Sequence, residues 1–325
     1  MNNFSSCLSI IVPAFNEAEV LPEFHRRLGE VLDNMHYNSE IVYVNDGSTD
    51  NTLGIIEQLA AQDRRVALVD MSRNYGKEIA LTAGLDHTHG DATIVIDADL
   101  QDPPELIPEL VQAWNEGYDV VYAQRTERAG ETWLKKLTAK QFYKLMQYFS
   151  RVPVPPDTGD FRLLSRRAVN AVCQLREQNR FMKGLFSWIG YPQKSIPYKR
   201  ESRHAGTTKW NYWKLWNFAL DGITAFTTAP LRFATYIGTI TALVAFVYGL
   251  SIILRTLYYG IDVPGYASLM VVILFIGGVQ LTALGIIGEY LGRTFDEVKR
   301  RPLYFVQRYT PAAASEPPQQ SDTTG

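Results

Sequence analysis

Short, mostly β-branched apolar runs alternate with longer stretches of helical periodicity through the first part of the chain. Residues 8–13 read as a strand buried on both faces and stopped by Pro13, followed by the loop Ala14-Phe15-Asn16-Glu17 and a helix from Val20 to about Asn34. Residues 40–45 form a second strand, and Asp46-Gly47-Ser48-Thr49-Asp50 turns into the next helix with Asp50 or Thr49 as its N-cap. Residues 66–71 are a third strand, after which Ser72-Arg73-Asn74-Tyr75-Gly76-Lys77 leads into a helix ending near His87. Thr93-Ile94-Val95-Ile96 is a fourth, running straight into Asp97-Ala98-Asp99-Leu100-Gln101-Asp102 and a proline pair that opens a helix to about Glu116; residues 119–124 are a fifth strand. Strands alternating with helices of this length predict right-handed βαβ units, an α/β fold and a largely parallel sheet.

The pattern changes in the last third. Residues 233–254 and 267–288 each run 22 positions without a charge, about 33 Å of helix against a hydrocarbon core of about 30 Å. With a link over 256–266 they form a transmembrane hairpin within residues 229–292. Arg203, Lys209, Lys214 and Arg232 precede it, Arg293, Lys299, Arg300, Arg301 and Arg308 follow it, and the link side has little beyond Arg255. The positive-inside rule then puts both termini in the cytoplasm. Gly277, Gly278, Gly285 and Gly288 make a small-residue face suited to packing within the hairpin or between copies in a homo-oligomer. Within the return segment 293–309, residues 301–306 are expected as a strand near the first domain, and 310–325 as a disordered tail.

Composition narrows the class. With 325 residues, 46% of them hydrophobic, the chain has ample material for a core plus a membrane part, and a net charge of −2 argues against a nucleic-acid binder. Cys7 and Cys173 are far apart in apolar surroundings, which fits two inert thiols in a reducing compartment. Met1 to Ser6 is too polar for a signal peptide, so the first half is expected to stay in the cytoplasm.

In parallel sheets ligands bind beyond the carboxyl ends of the strands. Here those ends carry carboxylates; neither G-x-G-x-x-G nor G-x-x-x-x-G-K-[ST] occurs. Asp97 and Asp99 are two apart, and in extended backbone they project to one side with Gln101 continuing the row, a set of hard oxygens for a divalent cation. An Asp-rich turn capping the following helix is the alternative. A site that meets a diphosphate with carboxylates needs a metal between them.

Val12-Pro13-Ala14-Phe15-Asn16-Glu17, Val44-Asn45-Asp46-Gly47-Ser48-Thr49-Asp50 and Asp97-Ala98-Asp99-Leu100-Gln101 resemble, in letters, order and spacing, the successive nucleotide and metal motifs of the inverting family-two GT-A glycosyltransferases. Asp97 through Glu105 most resembles the polyprenyl-phosphate glycosyltransferases of the dolichyl-phosphate mannose synthase and bactoprenol glucosyltransferase type. The resemblance implies a GT-A, Rossmann-like catalytic domain over residues 1–215. It implies that Pro13, Phe15, Glu17 and Asp46 surround base and ribose, with Asp46 accepting a ring N–H, and that Asp97, Asp99 and Gln101 hold Mg²⁺ or Mn²⁺ on the donor diphosphate.

The middle of the chain supplies the acceptor side. Gln124-Arg125-Thr126-Glu127-Arg128 is similar to the family position where an arginine meets the lipid phosphate; Arg125, with Arg128 and Lys136, is expected there. Residues 133–152 mix aromatic and aliphatic positions with Lys135, Lys136, Lys140, Lys144 and Arg151, which suits a helix on an anionic membrane surface or an amphipathic helix on the sheet; residues 209–228 are a second such surface helix. In the proline-rich turn at 155–164 the resemblance sets Asp157 beside the donor sugar, as a base or an orienting group, while Asp160 and Arg162 equally suit a structural pair. Asn179-Arg180-Phe181-Met182-Lys183-Gly184 gathers basic residues around a glycine. Residues 200–210 resemble the family's mobile loop, with Arg203 reaching the diphosphate and Lys209 in support.

The expected reaction is transfer of a sugar, by resemblance glucose from UDP-glucose, to a polyprenyl phosphate such as undecaprenyl phosphate at the cytoplasmic face of a bacterial inner membrane, with inversion. Asp99, Arg125 and Asp157 would carry the chemistry. A phosphate monoester is already largely dianionic near neutrality, its second pKa being about 6, so cations to position it matter more than a base. A glycan-extending synthase would carry Gln-x-x-Arg-Trp and more spans, which are absent; a nucleotide-sugar sensor would not need Asp97, Asp99 and Gln101 intact.

Overall fold

The computed structural model describes residues 6–126, 158–198, 229–259 and 265–313. The expected surface helices at 133–152 and 209–228 lie outside the described residues, as do Arg128, Lys136, Asp157, Arg203 and Lys209. Eight strands form one sheet: β1 (Cys7–Ala14), β2 (Asn38–Asn45), β3 (Val66–Met71), β4 (Ala92–Val95), β5 (Val120–Arg125), β6 (Thr158–Ser165), β7 (Gln193–Tyr198) and β8 (Val306–Thr310). Their order is β7-β5-β6-β4-β1-β2-β3-β8. β1, β2, β3 and β4 are parallel and β5 pairs parallel with β7, whereas β6 runs antiparallel between β4 and β5 and β8 runs antiparallel on β3. The sheet is therefore mostly parallel, as the alternating pattern predicts.

Helices cover both faces: α1 (Leu21–Asp33), α2 (Thr52–Gln62), α3 (Lys77–Asp86), α4 (Ile107–Asn115), α5 (Arg166–Gln174) and α6 (Met182–Trp188). Alternation along the strands divides the core. Ile10 and Val12 of β1 face Phe24 and Leu28 of α1, while Ile11 faces Ala80 and Leu81 of α3 with Met182, Leu185 and Phe186 of α6. Each of these side chains is wholly buried, which is why the strands read as unbroken apolar runs rather than as alternation.

Several local expectations change. The N-cap of α2 is Asn51, while Asp50 accepts the Thr52 amide at 3.0 Å and the Thr52 hydroxyl at 2.6 Å, a turn that delays the helix by a residue. The helix expected from Pro104 begins as a single 3-10 turn at Pro104–Leu106 before α4. The extended row through Asp97, Asp99 and Gln101 does not form: β4 ends at Val95, Leu100 is left-handed with φ of 57°, and Asp99 Oδ1 accepts the Gln101 amide at 3.2 Å. A local carboxylate-to-amide turn prevails there over strand continuation.

Two long apolar helices follow, α7 (Ala229–Tyr259) and α8 (Tyr266–Lys299), with stretches at Phe233–Tyr259 and Leu269–Lys299 long and apolar enough to cross a membrane. Both outrun the expected spans. Nothing between Leu254 and Tyr259 breaks α7. α8 carries on through the Arg293–Glu289 ion pair at 2.9 Å and ends where Arg300 turns left-handed, two residues before Pro302. At Gly277, Gly278, Gly285 and Gly288 an added Cβ would meet nothing within 4 Å, so no described residue packs closely on that face.

The return segment then rejoins the first domain. Gln178 donates its amide to Glu297 Oε1 at 2.7 Å and its Nε2 to the Arg301 carbonyl at 2.6 Å, and Tyr304 donates to Asp86 Oδ2 at 2.7 Å. β8 starts at Val306, later than the strand expected over 301–306, and the tail begins later than 310, since Ala312 is buried against the sheet. Cys7 and Cys173 are free, and burial pushes both thiols up, Cys173 to about 11, which keeps them inert.

Candidate active site

The loops after β1 and β2 are knitted together first. Asn16, left-handed with φ of 57°, gives its amide to Ser48 Oγ at 3.1 Å and accepts the Thr49 amide at 2.8 Å; the Glu17 amide reaches Thr52 Oγ1 at 2.9 Å. Asn45 bridges to β3 through Asp70 Oδ1 at 2.7 Å. Pro13 and Glu17 thus flank one stiff rim, with Phe15 41% exposed upon it.

Asp46 builds the next part. Its buried carboxylate accepts the backbone amides of Tyr75 and Gly76 at 2.7 and 2.9 Å, and burial pushes it above the usual carboxylate range despite these bonds. Gly47 beside it has φ of 63°, and a Cβ there would lie 2.5 Å from Arg73 C and Asn74 N. Only glycine lets the two loops approach so closely. The clamp delivers Gly76 as the N-cap of α3 and Lys77 as its first residue.

Lys77 is the hub. Its Nζ lies 2.6 Å from both Oδ1 and Oδ2 of Asp97 and 2.5 Å from Asp160 Oδ2. The sheet explains the meeting: β4 and β6 pair Val95 with Arg162, and carrying that antiparallel register two residues on sets Asp97 opposite Asp160. Asp160 Oδ1 is buried without a hydrogen-bond partner. Burial raises Asp97; it works against Asp160 too, but Lys77, Lys183 and Arg162 outweigh it and hold Asp160 below the usual range. Burial also lowers the Lys183 ammonium and pushes Arg162 down to about 10. Arg162 does not pair with the Asp160 carboxylate: its guanidinium donates to the Gly159 carbonyl at 2.9 Å and the Asp160 carbonyl at 3.3 Å and lies 4.1 Å over the Phe186 ring.

On the other side of β6, Arg125 Nε donates to Tyr198 Oη at 3.3 Å, and Tyr198 donates to buried Asp102. A Cβ on Gly159 would lie 3.1 Å from Arg125 Nη2, so this glycine makes room for the guanidinium. The structure therefore brings Asp46, Asp97, Asp99, Gln101 and Arg125 to the carboxyl ends of β2, β4 and β5. The sequence reading missed Lys77, Gly159, Asp102 and Tyr198, and it weighed Asp160 as a partner of Arg162, whereas its carboxylate meets Lys77. Lys77 had a signal: a lysine opening a helix opposes the helix dipole and calls for a reason.

A divalent cation fits these residues on the chemistry of the donors. Asp97, Asp99 and Gln101 offer hard oxygens, and both oxygens of Asp97 already face one cation, the Lys77 ammonium. Among the described residues no three His, Cys, Asp or Glu side chains form a ready-made cage. An ion such as Mg²⁺ ordinarily completes its shell with water and substrate phosphates rather than with protein alone.

The glycosyl transferase family 2 model matches residues 9–173 and that of the GtrB C-terminal hairpin matches 229–294. An uncharacterized glycosyltransferase of Synechocystis sp. is 56% identical over 299 residues, 92% of this chain and 94% of the relative. The prophage bactoprenol glucosyl transferase homolog of Escherichia coli is 49% identical over 93% of this chain and 98% of its own, and the bactoprenol glucosyl transferase of Shigella phage SfII is 49% identical over 93% and 97%. With a GT-A-like, mostly parallel sheet carrying carboxylates at its strand ends and two long apolar helices after it, the chain belongs to glycosyl transferase family 2, in the group that bears the GtrB C-terminal hairpin.

Proposed function

We propose that this transferase moves a sugar, glucose from UDP-glucose, onto a polyprenyl phosphate of the undecaprenyl kind at the cytoplasmic face of the membrane, with inversion. The observation that carries the reading is the approach of Arg125 to Asp97 and Asp102 beside Gly159, at the carboxyl ends of β4 and β5. Relatives named bactoprenol glucosyl transferases at 49% identity over nearly their whole length support the choice of lipid and sugar.

In this reading Pro13, Phe15 and Glu17 receive base and ribose. Asp46 keeps lone pairs beyond its two amide bonds to accept a ring N–H. Asp97, Asp99 and Gln101 hold Mg²⁺ or Mn²⁺, which when bound supplies neutralisation of the charge on the leaving diphosphate. Arg203 and Lys209 bind that diphosphate, and Arg125, Arg128 and Lys136 orient the acceptor phosphate. An oxygen of that phosphate attacks the anomeric carbon from the face opposite the bond to the diphosphate oxygen, which breaks with inversion. The acceptor is already ionised, so Asp157 orients the sugar or takes a residual proton. The basic residues flanking α7 and α8 favour cytoplasmic termini, and the uncovered glycine face of α8 favours association of copies.

The experiment is transfer of radiolabel from UDP-glucose, UDP-N-acetylglucosamine or GDP-mannose to undecaprenyl phosphate in detergent with Mn²⁺ or Mg²⁺. Labelling from UDP-glucose alone, lost with chelator and in Asp99→Ala, is expected. No lipid product from any donor, with nucleotide still bound, would overturn the reading in favour of a nucleotide-sugar sensor.

A further inference from the structure

We infer that Lys77 is a resident cation that keeps Asp97 closed to a divalent metal until a diphosphate arrives. The geometry is specific: the ammonium is equidistant, at 2.6 Å, from both oxygens of Asp97, so that neither is free for a metal ion, and is tethered at 2.5 Å to Asp160 Oδ2. A divalent ion approaching Asp97 meets a positive charge already in contact with its ligand, and like charges at such separations repel strongly in a half-buried site.

The lysine is not placed there by its helix. It is the first residue of α3, where the dipole disfavours a cation, and the two acids hold it against that preference. Its backbone is fixed by the Asp46 clamp on Tyr75 and Gly76, so only side-chain rotation can release Asp97. A diphosphate entering the site offers the ammonium a new anionic partner while Asp160 retains it. Metal and nucleotide are thereby admitted together, and the empty enzyme does not collect stray divalent ions.

The inference rests on the metal reading of Asp97 and Asp99, and one titration separates the two. Mn²⁺ binding is followed by electron paramagnetic resonance of the free ion on the full chain in detergent, with and without saturating UDP as the probe. Wild type is expected to bind Mn²⁺ at least tenfold more tightly with UDP. Lys77→Gln is expected to bind Mn²⁺ without UDP at least tenfold more tightly than wild type, and Lys77→Arg to behave as wild type. Lys77→Gln binding no more tightly than wild type would overturn the inference. So would wild type binding Mn²⁺ equally well with and without UDP, a comparison that stands even if the glutamine variant does not fold. Absence of Mn²⁺ binding by every protein, UDP included, would overturn the metal reading and this inference with it.

Discussion

The Asp46 carboxylate holds the amide of Gly76 at 2.9 Å, and through it the start of α3. The residue expected to meet the nucleotide base is also the pin of the loop that presents Lys77. Asp46→Ala should therefore leave two amides without their acceptor, costing about 1–3 kcal/mol of stability, and should lower turnover beyond any loss of nucleotide affinity. Thermal unfolding beside a kcat and KM comparison checks this; a loss confined to KM would restrict Asp46 to the base.

Gly47→Ala meets two obstacles at once, a positive φ and backbone atoms of Arg73 and Asn74 at 2.5 Å. A cost of about 1–3 kcal/mol is expected from backbone strain, with further loss from the clash. The readout is a lower denaturation midpoint with an unchanged denaturant slope.

Gly159→Ala tests the acceptor side. The new methyl would lie 3.1 Å from Arg125 Nη2 and push the guanidinium aside by a few tenths of an ångström. Since misplacement of about 1 Å can cost about a hundredfold in rate, a roughly tenfold fall in kcat/KM for the lipid phosphate is expected. Affinity for the nucleotide should be unchanged, as measured by UDP titration.

Asp119 gives a pH signature away from the site. Arg167 and Ser165 hold its carboxylate below the usual range, the guanidinium foremost, and so fasten β5 to the start of α5. A depressed folded-state value contributes stability that is present above the unfolded value, about 3.9, and is lost as pH falls through the folded one. Asp119→Asn should thus be less stable than wild type near neutrality, and the difference should shrink below about pH 4. Midpoints measured from pH 3 to 7 test it; a gap that widens in acid would contradict the assignment.

The parallel core was legible because Leu8, Ile10, Val12 and Ile41, Tyr43 are buried by their own strand pattern. The carboxylates at strand ends were legible for the same reason. β6 was not: Thr158-Gly159-Asp160-Phe161-Arg162 mixes charge into a strand that is buried throughout, because Asp160 finds Lys77 and Arg162 finds carbonyls and the Phe186 ring. Those partners are distant in sequence, so no local pattern announces them. The turn at Leu100 escaped for a different reason, since one Asx bond at Asp99 is enough to divert an extended chain.

α8 runs without a break from Tyr266 to Lys299. Its 34 residues span about 51 Å, more than a bilayer core needs, and its end is pinned to Gln178 before β8 lies down on β3 and the Ser72 amide bonds to the Phe305 carbonyl. β3 is the strand that leads to Lys77. With the hairpin read as spanning a bilayer, the final turns of the helix would set the distance between bilayer and catalytic rim. One residue added there would swing the rim through about 100° and lift it about 1.5 Å, whereas seven would restore its facing while raising it about 10 Å. The reach of the enzyme toward a lipid headgroup is thus written in helix turns as much as in loop chemistry.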